Sequence, residues 1–235
     1  MTSGRPREYV KKIAKECGTS KYIITSNGAE IYDFEEDKVI YSEGIDKESI
    51  IKVCKSAEEN KLHYAITSGK ERYINYKDDQ KNEIMVNDLE KLINNIQPIQ
   101  IVISDSDYDK VKSLRKEIDK ISNIYPINMH KSLIDEKLPR TGRIYYDLVK
   151  KGVNKGTAIS IFTKYFGVSL DNVAAIGDSD NDIEMIKIAG LGIAMGNSTE
   201  GLKIKADYVT LDNTQEGFNF AAKYIINNNI KLTKK

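Results

Sequence analysis

The chain has 235 residues, enough for one large domain or two modest ones, and it carries 36 Lys and Arg against 35 Asp and Glu, for a formal net charge of +1. That balance excludes a general polyanion-binding surface, which shows as a basic excess or stripe, so nucleic acid is not an expected partner. No apolar run approaches the roughly 20 residues that cross a bilayer and no apolar signal core opens the chain, so it reads as a cytoplasmic protein without a membrane segment.

After Met1-Thr2-Ser3-Gly4-Arg5-Pro6, the positions Tyr9, Val10, Ile13, Ala14 and Cys17 repeat at helical spacing, with Pro6 near the first turn and Gly18 as a stop. Cys17 and Cys54 both fall on apolar helical faces and read as small buried hydrophobes in a reducing compartment. Tyr22-Ile23-Ile24-Thr25 reads as a buried strand, and Ser26-Asn27-Gly28-Ala29 as the turn that ends it. From about Asp33 to Lys150 the pattern changes. Short alternating segments, such as Lys38 to Tyr41 and Gln100 to Ile103, mix with two amphipathic helices carrying Ile50, Ile51, Val53, Cys54, Ala57 and then Val111, Leu114, Ile118, Ile121. Strands and helices in that order suggest an α+β insert with an antiparallel sheet.

Beyond the insert a βα alternation runs to the end of the chain. Asn154 can cap a helix with the apolar face Ala158, Ile159, Ile161, Phe162, Tyr165 and Phe166, which Gly167 closes. A strand around Ile193-Ala194-Met195, a helix from Thr199 to Lys205, a strand at Tyr208-Val209-Thr210 and a last helix carrying Phe218, Ala221, Ala222, Ile225 and Ile226 follow. Lys231 to Lys235 read as a solvated tail.

Chemistry concentrates in Val173-Ala174-Ala175-Ile176-Gly177-Asp178-Ser179-Asp180-Asn181-Asp182, where an apolar run ends in three carboxylates and an amide. The run reads as a buried parallel strand, and Ile183, Ile186 and Ala189 behind it repeat at helical spacing. Open α/β sheets bind ligands at such strand-to-helix turns. Hard oxygen ligands there suit Mg²⁺, which takes one or two carboxylates and leaves other positions to water and phosphate oxygens. The plainer alternative is an acidic, solvated helix start. A single cap, however, does not require three acids.

Three other pieces gain meaning beside that turn. Lys155 opens a helix, so its ammonium and the exposed helical N–H groups can point at one anion. Ser3 and Gly4 form a turn before a helix and offer a hydroxyl and backbone amides to a phosphate. Gly196-Asn197 ends the strand after the acidic turn. Other candidates are weaker. His63 and His130 are far apart, Arg140 and Arg143 face either a substrate or solvent, and Gly190 to Gly196 has the wrong spacing for a dinucleotide fingerprint. Asn197-Ser198-Thr199 matches a glycosylation acceptor but has no secretion signal to go with it.

Taken together, Ser3-Gly4-Arg5-Pro6, Ile24-Thr25-Ser26-Asn27-Gly28-Ala29, Gly152 to Ala158, Gly177 to Asp182 and Ala194-Met195-Gly196-Asn197 resemble, in order, the haloacid dehalogenase (HAD) superfamily of phosphohydrolases, in its Cof-like subfamily IIB. The resemblance implies an α/β fold: a Rossmann-like parallel-sheet core built from residues 1–32 and 151–235, with residues 33–150 inserted as an α+β cap. It also implies a Mg²⁺-dependent phosphomonoester hydrolase that acts on a small phosphorylated metabolite, such as a sugar phosphate, through an aspartyl-phosphate. By position, Ser3 and Gly4 would bind the phosphoryl group and Lys155 would hold phosphate and nucleophile together. Asp178 would ligate Mg²⁺, with Asp182 supporting metal and lysine from behind, and Asn181 would touch phosphate or metal. Asn27 and Asn197 would lie near the substrate.

One family element has no match. Members begin with a strand ending in Asp-x-Asp-Gly-Thr, whose first aspartate is the nucleophile, and the present 235 residues contain no such motif. Asp105-Ser106-Asp107 lacks the following Gly-Thr and reads as a polar strand-end turn. The resemblance places the absent strand beside the one carrying Asp178. The expectation is therefore an amino-terminally shortened chain that folds poorly and is inactive alone. The alternatives are a non-catalytic phosphate- and metal-binding remnant, or half of a split enzyme.

Overall fold

A computed structural model describes residues 1–77, 83–129 and 144–227. They divide into two compact units, Met1–Val153 and Asn154–Lys235.

In the first unit, α1 (Arg7–Glu16) starts after Pro6, whose fixed φ suits the entry to a helix, and Gly18 (φ 61°) turns the chain away at the other end. Val10 and Ala14 pack on Ile23 and Tyr32. Cys54 is buried as expected, but Cys17 is exposed. The helix ends at Glu16, so Cys17 occupies the C-cap, where the chain leaves the apolar face that the helical repeat assigned to it. Strands β1 (Tyr22–Thr25), β2 (Glu30–Asp33) and β3 (Lys38–Ser42) form an antiparallel sheet in that order. The change of sequence pattern near Asp33 thus falls inside a hairpin, and the sheet that β1 opens runs on to Ser42. Arg7 fastens α1 to this sheet: its Nε donates to Glu30 Oε1 (2.9 Å), which also accepts from Thr25 Oγ1 (3.1 Å), and its guanidinium lies 4.2 Å from the Tyr32 ring centroid.

The rest of this unit is a six-stranded sheet with helices on one face. Its strands are β4 (His63–Ser68), β5 (Glu71–Ile74), β6 (Ile84–Met85), β7 (Gln100–Asp105), β8 (Ile124–Met129) and β9 (Ile144–Lys150), in the order β6-β5-β4-β7-β9-β8. All neighbours are antiparallel except the β5–β6 pair. The helices are α2 (Lys47–Glu59), α3 (Leu89–Asn95) and α4 (Tyr108–Ile118). Ile50, Val53, Cys54 and Ala57 of α2 and Val111, Leu114 and Ile118 of α4 pack on Tyr64, Ile66, Ile101, Ile103, Tyr146 and Leu148. Because side chains alternate along a strand and the register pairs Thr67 with Gln100 and Val102 with Asp147, those four residues occupy the face opposite the helices. The antiparallel α+β character follows the sequence reading, with α3 added. At seven residues, α3 spans about two turns, too few for its Leu89, Leu92 and Ile93 to stand out as a period. Asp107 caps α4 by accepting from Asp109 N (3.0 Å) and Lys110 N (3.2 Å), so Asp105-Ser106-Asp107 is the polar strand-end turn expected. His63 stacks on Tyr76 at 4.6 Å. His130, Arg140, Arg143 and the Lys231–Lys235 tail lie outside the described residues.

The second unit alternates helix and strand: α5 (Lys155–Tyr165), β10 (Ala174–Gly177), α6 (Ile183–Ile188), β11 (Leu191–Ala194), α7 (Glu200–Lys203), β12 (Tyr208–Val209) and α8 (Gly217–Asn227). The strands form a parallel sheet in the order β10-β11-β12, with Ala174 opposite Leu191 and Ile193 opposite Tyr208. Leu191 and Ile193 bury against Ala221 of α8, with Ala174, Ile176 and Ile225 around them. Here the chain has the α/β character read from its sequence.

Candidate functional site

In the second unit, the acidic turn and the start of α5 form one bonded group. Asn154 caps α5 reciprocally: its side chain accepts from Thr157 N (2.9 Å), and Thr157 Oγ1 accepts from Asn154 N (3.0 Å). This makes Lys155 the first helical residue. Its side chain is only 9% exposed, and Nζ donates to Asp182 Oδ1 at 2.5 Å, where the Asp182 side chain is 3% exposed. The second carboxylate oxygen of Asp182 accepts from Asp178 N (2.9 Å) and Ser179 N (3.1 Å). A buried carboxylate with three donors is compensated, which is the condition for keeping it charged away from water.

Glycine makes the group possible. A Cβ at Gly177 would lie 2.5 Å from Asp182 Cβ, so the turn closes over Asp182 only without a side chain there. Around it, Ser179 Oγ donates to Asn181 Oδ1 (2.6 Å), and Thr199 Oγ1 donates to Asp180 Oδ1 (2.7 Å). Asn197 Oδ1 accepts from Asn213 N (3.1 Å), which ties the turn after β11 to the segment before α8.

Asp178 differs from Asp182. The residue as a whole is exposed, yet the packed turn desolvates its carboxyl enough to raise its pKa above the usual carboxylate value, with the negative Asp182 pushing the same way and Lys155 opposing. A divalent cation at Asp178 would reverse that cost, and the donor is a hard oxygen of the kind Mg²⁺ takes. Among the described residues no group of three or more His, Cys, Asp or Glu converges as a metal cage. A Mg²⁺ site of one carboxylate plus water and phosphate oxygens needs none.

The other sequence-derived residues, Ser3, Gly4 and Asn27, belong to the first unit. Ser3 N donates to Ile24 O (2.9 Å), Asn27 N to Ser3 O (3.1 Å) and Ser26 N to Arg5 O (3.0 Å), so the Ser3–Arg5 turn is laced to the end of β1. Ser3 Oγ accepts from Arg5 N (3.2 Å). Asn27 is fully buried and left-handed (φ 59°), as is Ser26 before it (φ 50°). Its Nδ2 donates to Asp147 Oδ2 (3.1 Å), and Gln100 Nε2 donates to the Gly4 carbonyl (3.1 Å). Sequence reasoning missed Asp147 and Gln100. Their only signal was a polar residue between apolar neighbours on a strand.

A family profile described as haloacid dehalogenase-like hydrolase matches residues 1–221. The chain belongs to this family. Among relatives of these hydrolases, the 5-amino-6-(5-phospho-D-ribitylamino)uracil phosphatase YitU of Bacillus subtilis is 23% identical over 211 residues, covering 85% of this chain and 74% of that protein. Phosphatase YwpJ of the same organism is 27% identical over 226 residues, covering 85% and 78%. A crystal structure of a haloacid dehalogenase-like hydrolase from Bacteroides thetaiotaomicron superposes with a TM-score of 0.75 at 26% identity, over 95% of this chain and 84% of that one. The fold read from the sequence, an α/β HAD-like hydrolase, is therefore the fold of this chain. Among its described residues no helix is long and apolar enough to cross a membrane.

Proposed function

We propose that this hydrolase, of the Cof-like IIB kind, acts with Mg²⁺ on the phosphomonoester of a small sugar- or polyol-like metabolite in the cytoplasm. The observation that carries the reading is the buried Lys155–Asp182 pair, with Asp182 also held by two backbone N–H groups. An ammonium fixed by a carboxylate at a helix start is preorganised for an anion, and phosphoryl transfer depends mainly on such positioning and charge stabilisation. In this reading Lys155 and Ser3, with the amide of Gly4, bind phosphoryl oxygens. Asp178 holds Mg²⁺, Asp182 orients Lys155, and Asn181, Asn197 and Asn27 line or support the rim. Bound Mg²⁺ would neutralise charge that develops on the phosphoryl group. Residues 33–150 serve as the cap that selects the leaving group, and residues 1–32 and 151–235 as the core. The phosphate on a ribityl chain named for the Bacillus subtilis relative supports the sugar-like class.

The attacking aspartate of an Asp-x-Asp-Gly-Thr motif is not among these 235 residues. That observation favours a second reading, in which the same groups bind phosphate and metal without turnover. Phosphate release from a panel of sugar and polyol phosphates, with Mg²⁺ or with EDTA, tests both. Turnover that EDTA stops is the hydrolase outcome. Mg²⁺-dependent binding of inorganic phosphate without turnover is the second. A chain that neither hydrolyses nor binds refutes both.

A further inference from the structure

We infer that Asn27 is a positioning residue: through Asp147, and with Gln100 as a second tie, the six-stranded sheet sets the conformation of the Ser3–Gly4 turn. The inference rests on the proposed role of that turn in holding phosphate.

Three observations carry it. First, the backbone at Ser26 and Asn27 is of a kind that non-glycine residues seldom adopt in succession. Both residues have positive φ, and both are fully buried. Backbone of that kind persists where the surroundings over-determine it, and Asn27 is held on two sides. Its N–H bonds to Ser3 O, and its Nδ2 to Asp147 on β9.

Second, the turn fits around the Asn27 amide. A Cβ at Gly4 would lie 2.7 Å from Asn27 Oδ1, so the backbone at Gly4 lies against that side chain. Any rotation of Asn27 is felt at Gly4. The Gly4 carbonyl in turn accepts from Gln100 Nε2 on β7, and an oriented carbonyl fixes the plane of the peptide that carries the Arg5 N–H.

Third, Gln100 and Asp147 belong to one surface. They lie on neighbouring strands and share the face of the sheet opposite α2 and α4. Beside them Ala29, Ile99, Val149 and Val153 form a small apolar cluster that seats the end of the β1–β2 turn. Polar residues at those positions contribute nothing to the apolar core on the other face. What they do is reach the Ser3–Gly4 turn from the sheet side, while β1 holds it from the other. The sheet and the turn therefore move as one body, and a change in the sheet is transmitted to the groups that face phosphate.

The test uses the full chain and two readouts. Amide hydrogen exchange over residues 1–9 and 22–30 reports the turn without ligand, and titration with inorganic phosphate reports its fitness for an anion. Asp147→Leu and Gln100→Met, each with unchanged circular dichroism, should speed exchange of the Ser3 and Asn27 amides and weaken phosphate about tenfold, the effect of one hydrogen bond to a charged group. Asp147→Asn keeps an oxygen that can accept from Asn27 and should restore both readouts. Wild-type exchange in both disruptive variants would overturn the inference. So would faster exchange with unchanged phosphate affinity, provided Lys155→Met does weaken phosphate, because the tie would then be structural only. If Ser3→Ala and Lys155→Met leave phosphate affinity unaltered, the proposed function fails, and the exchange result alone decides whether the tie exists.

Discussion

Lys155 Nζ and Asp182 Oδ1 are 2.5 Å apart, and both side chains are sealed from solvent, yet the two residues differ in what would remain if the partner were removed. Without Lys155, Asp182 keeps the N–H groups of Asp178 and Ser179. Without Asp182, the ammonium loses the partner that compensates its burial and the turn loses its acceptor. Asp182→Ala should therefore cost about 3–5 kcal/mol, as breaking a buried pair does, and Lys155→Met distinctly less. Urea-unfolding midpoints of the two variants check the order. Equal losses would mean that the backbone N–H groups do little for Asp182.

That asymmetry also bears on what was legible in the sequence. The acidic turn could be read because its function and its fold use the same residues: a strand cannot end in Gly-Asp-Ser-Asp-Asn-Asp without somewhere for the charge to go. The parallel strands β10 and β11 and the helices around them announced themselves by apolar runs and helical spacing. The different tasks of Asp178 and Asp182 could not be read from spacing alone. They depend on which carboxylate meets the N–H groups of residues 178 and 179, and the close passage of Gly177 over Asp182 settles that. Asn27 was legible as a turn residue but not as a bonded one, because its partner Asp147 lies 120 residues away. Cys17 was misread for a local reason: a helical repeat says which face a residue would occupy if the helix continued, and α1 stops one residue earlier.

The two thiols follow from the same distinction. Cys17 is exposed at the end of α1, whereas Cys54 is packed between α2 and the sheet, and burial pushes its thiol well above the ordinary value, with Glu58 adding to the shift. The thiolate is the reactive form, so Cys54 is doubly protected, by access and by protonation. An aromatic disulfide reagent at neutral pH should titrate one thiol in the folded chain and two in urea. Two thiols reacting in the folded chain would show that the helix-covered face of the six-stranded sheet opens readily.

Acid should weaken the first unit through Asp33. Desolvation opposes its ionisation, but the Lys21 ammonium (2.9 Å) and the backbone N–H groups of Glu36 and Glu35 outweigh that and hold its pKa below the usual value. A depressed acid contributes stability above its unfolded pKa of about 3.9, and loses it as pH falls through the lower folded value. Lys21 is the converse: its bond to Asp33 raises its pKa against desolvation, so its contribution is full below the unfolded value of about 10.4 and fades as pH rises through the folded one. Asp33→Asn should be less stable than wild type at about pH 7, with the gap in urea-unfolding midpoints closing as pH falls through the lowered folded value. A gap that persists in acid would assign the effect to packing instead of charge.

Two glycines in helices of the second unit should respond to alanine in opposite ways. Propensity favours Ala over Gly within a helix by about 1 kcal/mol. At Gly201 in α7 nothing opposes that gain, since a Cβ would find its nearest neighbour, Asp180 Oδ1, at 3.9 Å. Gly201→Ala should stabilise by about 0.4–1 kcal/mol. At Gly156, in the first turn of α5, a Cβ would meet the backbone carbonyl carbon of Glu184 at 2.8 Å. Backbone cannot rotate away as a side chain can, so α5 and α6 must separate, and overpacking of this kind costs about 1–3 kcal/mol, more than propensity returns. Gly156→Ala should therefore lower the urea midpoint. Because Lys155 and Asp182 flank that contact on the two elements being pushed apart, it should also weaken binding of inorganic phosphate. A stabilised Gly156→Ala variant with normal phosphate binding would show that the two helices have room to move without disturbing the ion pair.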